Sequence, residues 1–91
     1  MERHARRFTI RNRLGLHARA ATLLVQTANR FSCDIQIRKG RLEVNAKSIM
    51  GVLQLAAARG QTVEIVAVGE GCREAVDAIG ELIRDGFGEE D

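Results

Sequence analysis

Two apolar periods take turns along this chain, and their alternation limits the fold more than any other feature. In "RRFTIRNR", Phe8 and Ile10 alternate with Arg7, Thr9 and Arg11, the period of a strand with one buried face. The pattern predicts a first strand that ends near Asn12. From Ala18 to Phe31 the period lengthens: Ala18, Ala21, Leu24, Val25 and Ala28 fall three and four apart. That stripe predicts a first helix, with Arg19, Gln26 and Arg30 left to water. "CDIQIRKGRLEVNAK" then returns to period two, with Cys33, Ile35 and Ile37 followed by Leu42, Val44 and Ala46. Lys39-Gly40 between them can supply the positive φ of a tight hairpin. "SIMGVLQLAAARG" opens on a serine suited to an N-cap and closes on Gly60, which predicts a second helix. "QTVEIVAV" predicts a fourth strand with Val63, Ile65 and Ala67 on one face. Cys72, Ala75, Val76, Ile79, Leu82, Ile83 and Phe87 form the stripe of a third helix, in which Gly80 and Gly86 each cost about 1 kcal/mol relative to alanine. The acidic "GEED" end is expected to fray.

The order is β-α-β-β-α-β-α, and alternation on one face requires a sheet that is dry on one side and wet on the other. Three helices on one face of a four-stranded sheet meet that requirement, so the expected class is α+β. Ninety-one residues, 45% hydrophobic and without proline, fit one domain over 1–91, with its core at about 7–88. No run approaches the ~18 apolar residues of a membrane span, and "MERHARR" lacks the apolar stretch of a secretory signal. The expected location is cytoplasmic, with no membrane insertion. Cys33 and Cys72 stand far apart in apolar patterns and read as buried or half-buried residues rather than a disulfide framework or metal cluster. No metal site and no cofactor are expected. The net charge of +2 hides a segregation, with arginines crowding the first twenty positions and acids the end.

"RLGLHARAA" places His17 immediately before the first helix. There the N–H groups of Ala18, Arg19 and Ala20 have no intrahelical acceptors, and the positive end of the helix dipole favours an anion such as phosphate. Arg19 adds a planar donor fork suited to phosphate oxygens. A neutral imidazole is nucleophilic near pH 7. Together these make a site for covalent phosphoryl capture on nitrogen. A histidine in that position can also be no more than an exposed cap, and chemistry alone leaves that reading standing.

"GLHARAA", followed about thirty residues later by "KSIMGVLQLAA" in a chain of this length and element order, resembles HPr, the histidine-containing phosphocarrier family of the bacterial phosphotransferase system. The likeness runs from about Phe8 to Gly88. It implies an open-faced β-sandwich with a four-stranded antiparallel sheet. It implies a relay in which enzyme I, charged from phosphoenolpyruvate, phosphorylates His17 on Nδ1 and an enzyme IIA accepts the group. Arg19 would stabilise the phosphoryl group and meet acidic partner surfaces. Ser48 would be the target of HPr kinase/phosphorylase in organisms that have it. The protein would be a relay intermediate, not a stand-alone catalyst. The family usually reads H-x-R-P, and Ala20 stands here in place of the proline. Alanine returns an N–H to the first turn and relaxes it. "NRLGLHA" and "VNAKSIMGVLQLAAARG" are more similar to the nitrogen-related branch than to the sugar-transport form.

The second helix carries more apolar positions than one buried stripe needs. Ile49 and Met50, with Leu53 one turn on, are therefore expected at a partner surface together with Lys47, although a wholly buried short helix would account for the same pattern. Lys47 could equally be solvated, and Ser48 an ordinary cap. The alternatives are a regulatory module that carries no phosphate and a nucleic-acid-binding domain using "RHARR" as a basic arm. Three phenylalanines and no tyrosine or tryptophan make a base-stacking platform hard to build, so no nucleic acid is expected as partner. The expected state is a monomer.

Overall fold

The computed structural model describes residues 2–89. Its elements are β1 (Arg3–Thr9), α1 (Ala18–Ala28), β2 (Asp34–Lys39), β3 (Leu42–Asn45), α2 (Ile49–Gln54), β4 (Thr62–Val68) and α3 (Cys72–Arg84), closed by a 3-10 turn, Gly86–Gly88. The four strands form one antiparallel sheet in the order β1-β4-β2-β3. β4, predicted as a one-faced strand, thus lies between β1 and β2. Val63, Ile65 and Ala67 face the helices and are buried. The predicted α+β architecture, open on one face of the sheet, is the observed one. On that open face, Arg38 lies 3.4 Å from Glu64 and 3.5 Å from Glu43, in register with Arg7 on β1. This row of opposite charges keeps the uncovered face wet. No helix among the described residues is long and apolar enough to cross a membrane.

Several boundaries differ from the periodic reading. β1 starts at Arg3 and ends at Thr9, because its length is set by pairing with Thr62–Val68. "RHARR" is therefore strand throughout rather than a free arm. Ile10 is buried after the strand, held by a bond from its N–H to the Gln61 carbonyl and one from the Gly60 N–H to its own. α1 stops at Ala28, where Asn29 Nδ2 donates to the Val25 carbonyl at 3.0 Å. The hairpin turn is Gly40-Arg41, one residue later than predicted, with Gly40 at φ +60. α2 has only six residues. Ala56 adopts φ +47, and Gly60 belongs to the turn into β4 rather than to a helix stop.

Gly80 is not a weakness of α3. A Cβ there would lie 2.4 Å from the Phe8 ring, so the glycine is what lets α3 settle on β1. Arg6 and Arg84 lie over the same ring, 5.2 and 5.5 Å from its centre. Gly86, at φ +62, ends the helix instead of continuing it. Cys33 and Cys72 are buried free thiols, and burial pushes the Cys33 thiol up, away from the reactive thiolate.

Candidate functional site

The approach to α1 is built from the end of β1. Asn12 continues the inward phase of Phe8 and Ile10 and is 1% exposed. Its Nδ2 donates to the Gly15 carbonyl at 2.7 Å and to Glu89 Oε1 at 3.1 Å. Both partners are acceptors, which sets the amide's orientation. The Gly15 N–H returns a bond to the Asn12 carbonyl at 3.1 Å and closes a turn. Gly15 has φ +67, and a Cβ on it would stand 2.4 Å from the Ala57 carbonyl oxygen. Only glycine lets this turn lie against the segment after α2. The Leu16 N–H then donates to the same Ala57 carbonyl at 2.9 Å. The irregular stretch after Gln54, read from sequence as more helix, is thus one wall of the seat for His17.

His17 is extended, at φ −76 and ψ 178, and its carbonyl accepts the first helical bond, from Ala21 N–H at 2.8 Å. The N–H groups of Ala18, Arg19 and Ala20 precede that bond and have no acceptor within the helix. The His17 side chain caps none of them. Its side chain is 28% exposed, and its Nε2 meets Glu89 Oε2. α1 has no acid in its first turn, so the positive end of its dipole is not neutralised from within the helix. Arg19 is exposed beside it.

Glu89 corrects the expectation that "GEED" frays. The hydrogen bond with the His17 ring holds its carboxyl below the ordinary value of 4.5. Burial opposes this, and the Asn12 amide and the charges of His17 and Arg19 assist it. Glu90 and Asp91 lie outside the described residues.

At α2, Ser48 Oγ accepts from the Gly51 N–H at 3.1 Å, an N-cap bond. Ile49 and Met50 are 41% and 71% exposed, while Leu53 is half-buried against the core. Lys47 does not reach out from this surface. Its Nζ donates to the Phe31 carbonyl at 2.6 Å, which braces the loop after α1. α1 and α2 pack against each other.

Asn12, Leu14 and Glu89 were not singled out from the sequence. Asn12 did leave a signal, a polar side chain in the buried phase of a strand. Leu14, 62% exposed, left a weaker one as a leucine that no stripe accounts for. Glu89 left none, because its partner lies 72 positions away.

The family model described as "PTS HPr component phosphorylation site" matches residues 4–85. The phosphocarrier protein HPr of Cupriavidus necator is 47% identical over 81 residues, 89% of this chain and 91% of that protein. The crystal structure of HPr from Thermoanaerobacter tengcongensis superposes with a TM-score of 0.90 at 44% identity, over all of both chains. A second crystal structure from that organism, described as an HPr dimer, gives 0.77 at 48% identity and covers 88% of this chain and 92% of that one. With a histidine standing before an open helix start and likeness along nearly its whole length, the chain belongs to the HPr family of phosphocarrier proteins of the phosphotransferase system.

Proposed function

We propose that His17 is the phosphoryl-carrying residue, charged by enzyme I from phosphoenolpyruvate and discharged to an enzyme IIA. The observation that carries this reading is the pairing of a partly exposed imidazole with helix N–H groups that it does not cap. A phosphoryl group on the ring would find the donors of Ala18, Arg19 and Ala20, the helix dipole and the Arg19 guanidinium on one side of it. The Ala20 N–H, absent from the proline form of the motif, adds a donor.

Leu14, Ile49 and Met50 are three of the four large apolar side chains most exposed among the described residues. They flank the two helix starts, and methionine adapts to more than one partner shape. This supports a docking surface for enzyme I and enzyme IIA around His17, with Leu53 at its base. The placement of aromatic rings favours this reading over nucleic-acid binding, since Phe8 and Phe87 are buried and Phe31 packs partly against the core. Ser48 stands inside the same surface, so its phosphorylation would regulate docking there.

The test is incubation with enzyme I and labelled phosphoenolpyruvate, followed by acid. Acid-labile label is the expected result. Label that survives acid, or no label, overturns the reading.

A further inference from the structure

We propose that Glu89, held by Asn12, is a positioning residue that keeps the ring proton of His17 on Nε2 and so presents Nδ1 as the nucleophile. The proposal rests on His17 being the phosphoryl carrier. It concerns a segment of this chain beyond the family match, which ends at residue 85.

A neutral imidazole has one N–H and one lone pair, and the partner of one nitrogen decides which nitrogen carries which. Glu89 offers only acceptors. Its Oε2 meets Nε2 of His17, which requires the proton there. Its Oε1 receives the Asn12 amide at 3.1 Å, so the carboxylate is engaged at both oxygens. Asn12 is itself anchored by the Gly15 carbonyl at 2.7 Å, inside the turn that delivers His17 to the helix start. Glu89 stands to His17 as the carboxylate of a hydrolase triad stands to its histidine, holding the ring's tautomer and orientation, and Asn12 in turn holds Glu89. Here the oriented ring is the nucleophile. Nδ1 makes no cap bond to the helix, and its lone pair is left for phosphorus.

The arrangement also removes proton transfer from the relay. When Nδ1 attacks, its electron pair forms the N–P bond, and the donor's bond to phosphorus breaks with its pair returning to the donor. The ring keeps its Nε2 proton and becomes a cation, which the Glu89 carboxylate offsets. On discharge the N–P pair returns to Nδ1, and the ring is again neutral with its proton unmoved. A cationic phosphoimidazole is also a better leaving group than a neutral one, so the same contact favours onward transfer.

The experiment uses potassium phosphoramidate, which delivers a phosphoryl group without enzyme I. The P–N bond of the reagent breaks and its electron pair leaves with ammonia. Products at short times are resolved by phosphorus NMR as Nδ1- or Nε2-phosphohistidine, with His17→Ala reporting any label on His4. Wild type should give the Nδ1 isomer, and Glu89→Ala a mixture containing the Nε2 isomer. In the unphosphorylated proteins, nitrogen NMR should show distinct protonated Nε2 and unprotonated Nδ1 signals in wild type. These should move towards each other in Glu89→Ala. Transfer from enzyme I to Glu89→Ala should slow by roughly 10-fold, the low end of what partners orienting a histidine contribute at metal sites. The same isomer ratio and ring spectrum in both proteins would overturn the proposal, even if Glu89→Ala melts lower, because the contact would then be packing only. Neither the isomer ratio nor the ring spectrum involves enzyme I, so both stand apart from the outcome of the phosphoenolpyruvate assay.

Discussion

His17 and Ser48 occupy the same station on two neighbouring helices and use it in opposite ways. Each is an extended residue whose carbonyl accepts the first helical bond, from Ala21 at 2.8 Å and from Val52 at 3.0 Å. Ser48 turns its hydroxyl onto its own helix and satisfies the Gly51 N–H. His17 gives its Nε2 to Glu89 instead and caps none of the donors of its helix. A helix start that caps itself adds stability and has little left to offer a ligand. One whose cap residue is held by something else keeps its donors and its dipole for an anion. α1 tolerates this because Ala20, Ala21, Leu24, Val25 and Ala28 are buried along its eleven residues. α2, at six residues, has little but its cap and Val52 to hold it.

The largest effect that would break this contrast is on labelling. His17→Ala should abolish acid-labile phosphorylation by enzyme I while circular dichroism and melting stay near wild type, since the side chain caps no N–H group. Acid-labile label on a folded His17→Ala protein would end the assignment.

Ser48→Asp should slow phosphorylation of His17 while keeping or raising the melting temperature. A carboxylate at that helix start gains roughly 0.3 to 1 kcal/mol from the dipole. It also puts charge between Ile49, Met50 and an acidic, partly apolar partner. The rate defect should shrink with added salt, because exposed charges are screened over about 10 Å at 0.1 M. Wild-type rates at low salt would place docking away from α2.

Ser48→Ala sharpens the contrast at the level of stability. Loss of the bond from Gly51 should cost about 1 kcal/mol, or some 4 to 8 °C for a domain of this size. His17→Ala should cost less. Equal losses from the two variants would show that the ring contributes as much to its helix as the hydroxyl does.

The smallest effect is on the acid side. Because the folded protein holds the Glu89 carboxyl below its ordinary 4.5, its stabilising contribution is complete above that value and is lost as pH falls through the lowered one. Melting temperatures measured from about pH 6 to pH 3 should therefore fall less steeply for Glu89→Ala than for wild type. Parallel curves would mean that the carboxylate adds nothing to folding.

The inward stripes of α1, α3 and β4 were legible because burial on one face of a regular element repeats at that element's own period, which a short window of sequence displays. The stations of His17 and Ser48 were legible for a related reason, since a cap lies next to the run that it starts. Gly80 was misread because its missing Cβ matters only to Phe8, which arrives from a strand far away in sequence. The extent of α2 was misread because Leu55 and Ala57 are both buried without continuing the helix. The chain instead passes through the left-handed Ala56, and the Ala57 carbonyl receives Leu16.

By itself the sequence determined the order of elements, the one-faced sheet and the histidine at the start of a helix, all properties of neighbours along the chain. Only the tertiary structure decided what holds that histidine. Asn12 from the turn after β1, Gly15 seated on Ala57, and Glu89 from beyond α3 meet because the sheet and helices bring remote backbone together. No local period records such a meeting: Asn12 interrupts the apolar phase without indicating a partner, and Gly15 and Glu89 fit their own segments without the others.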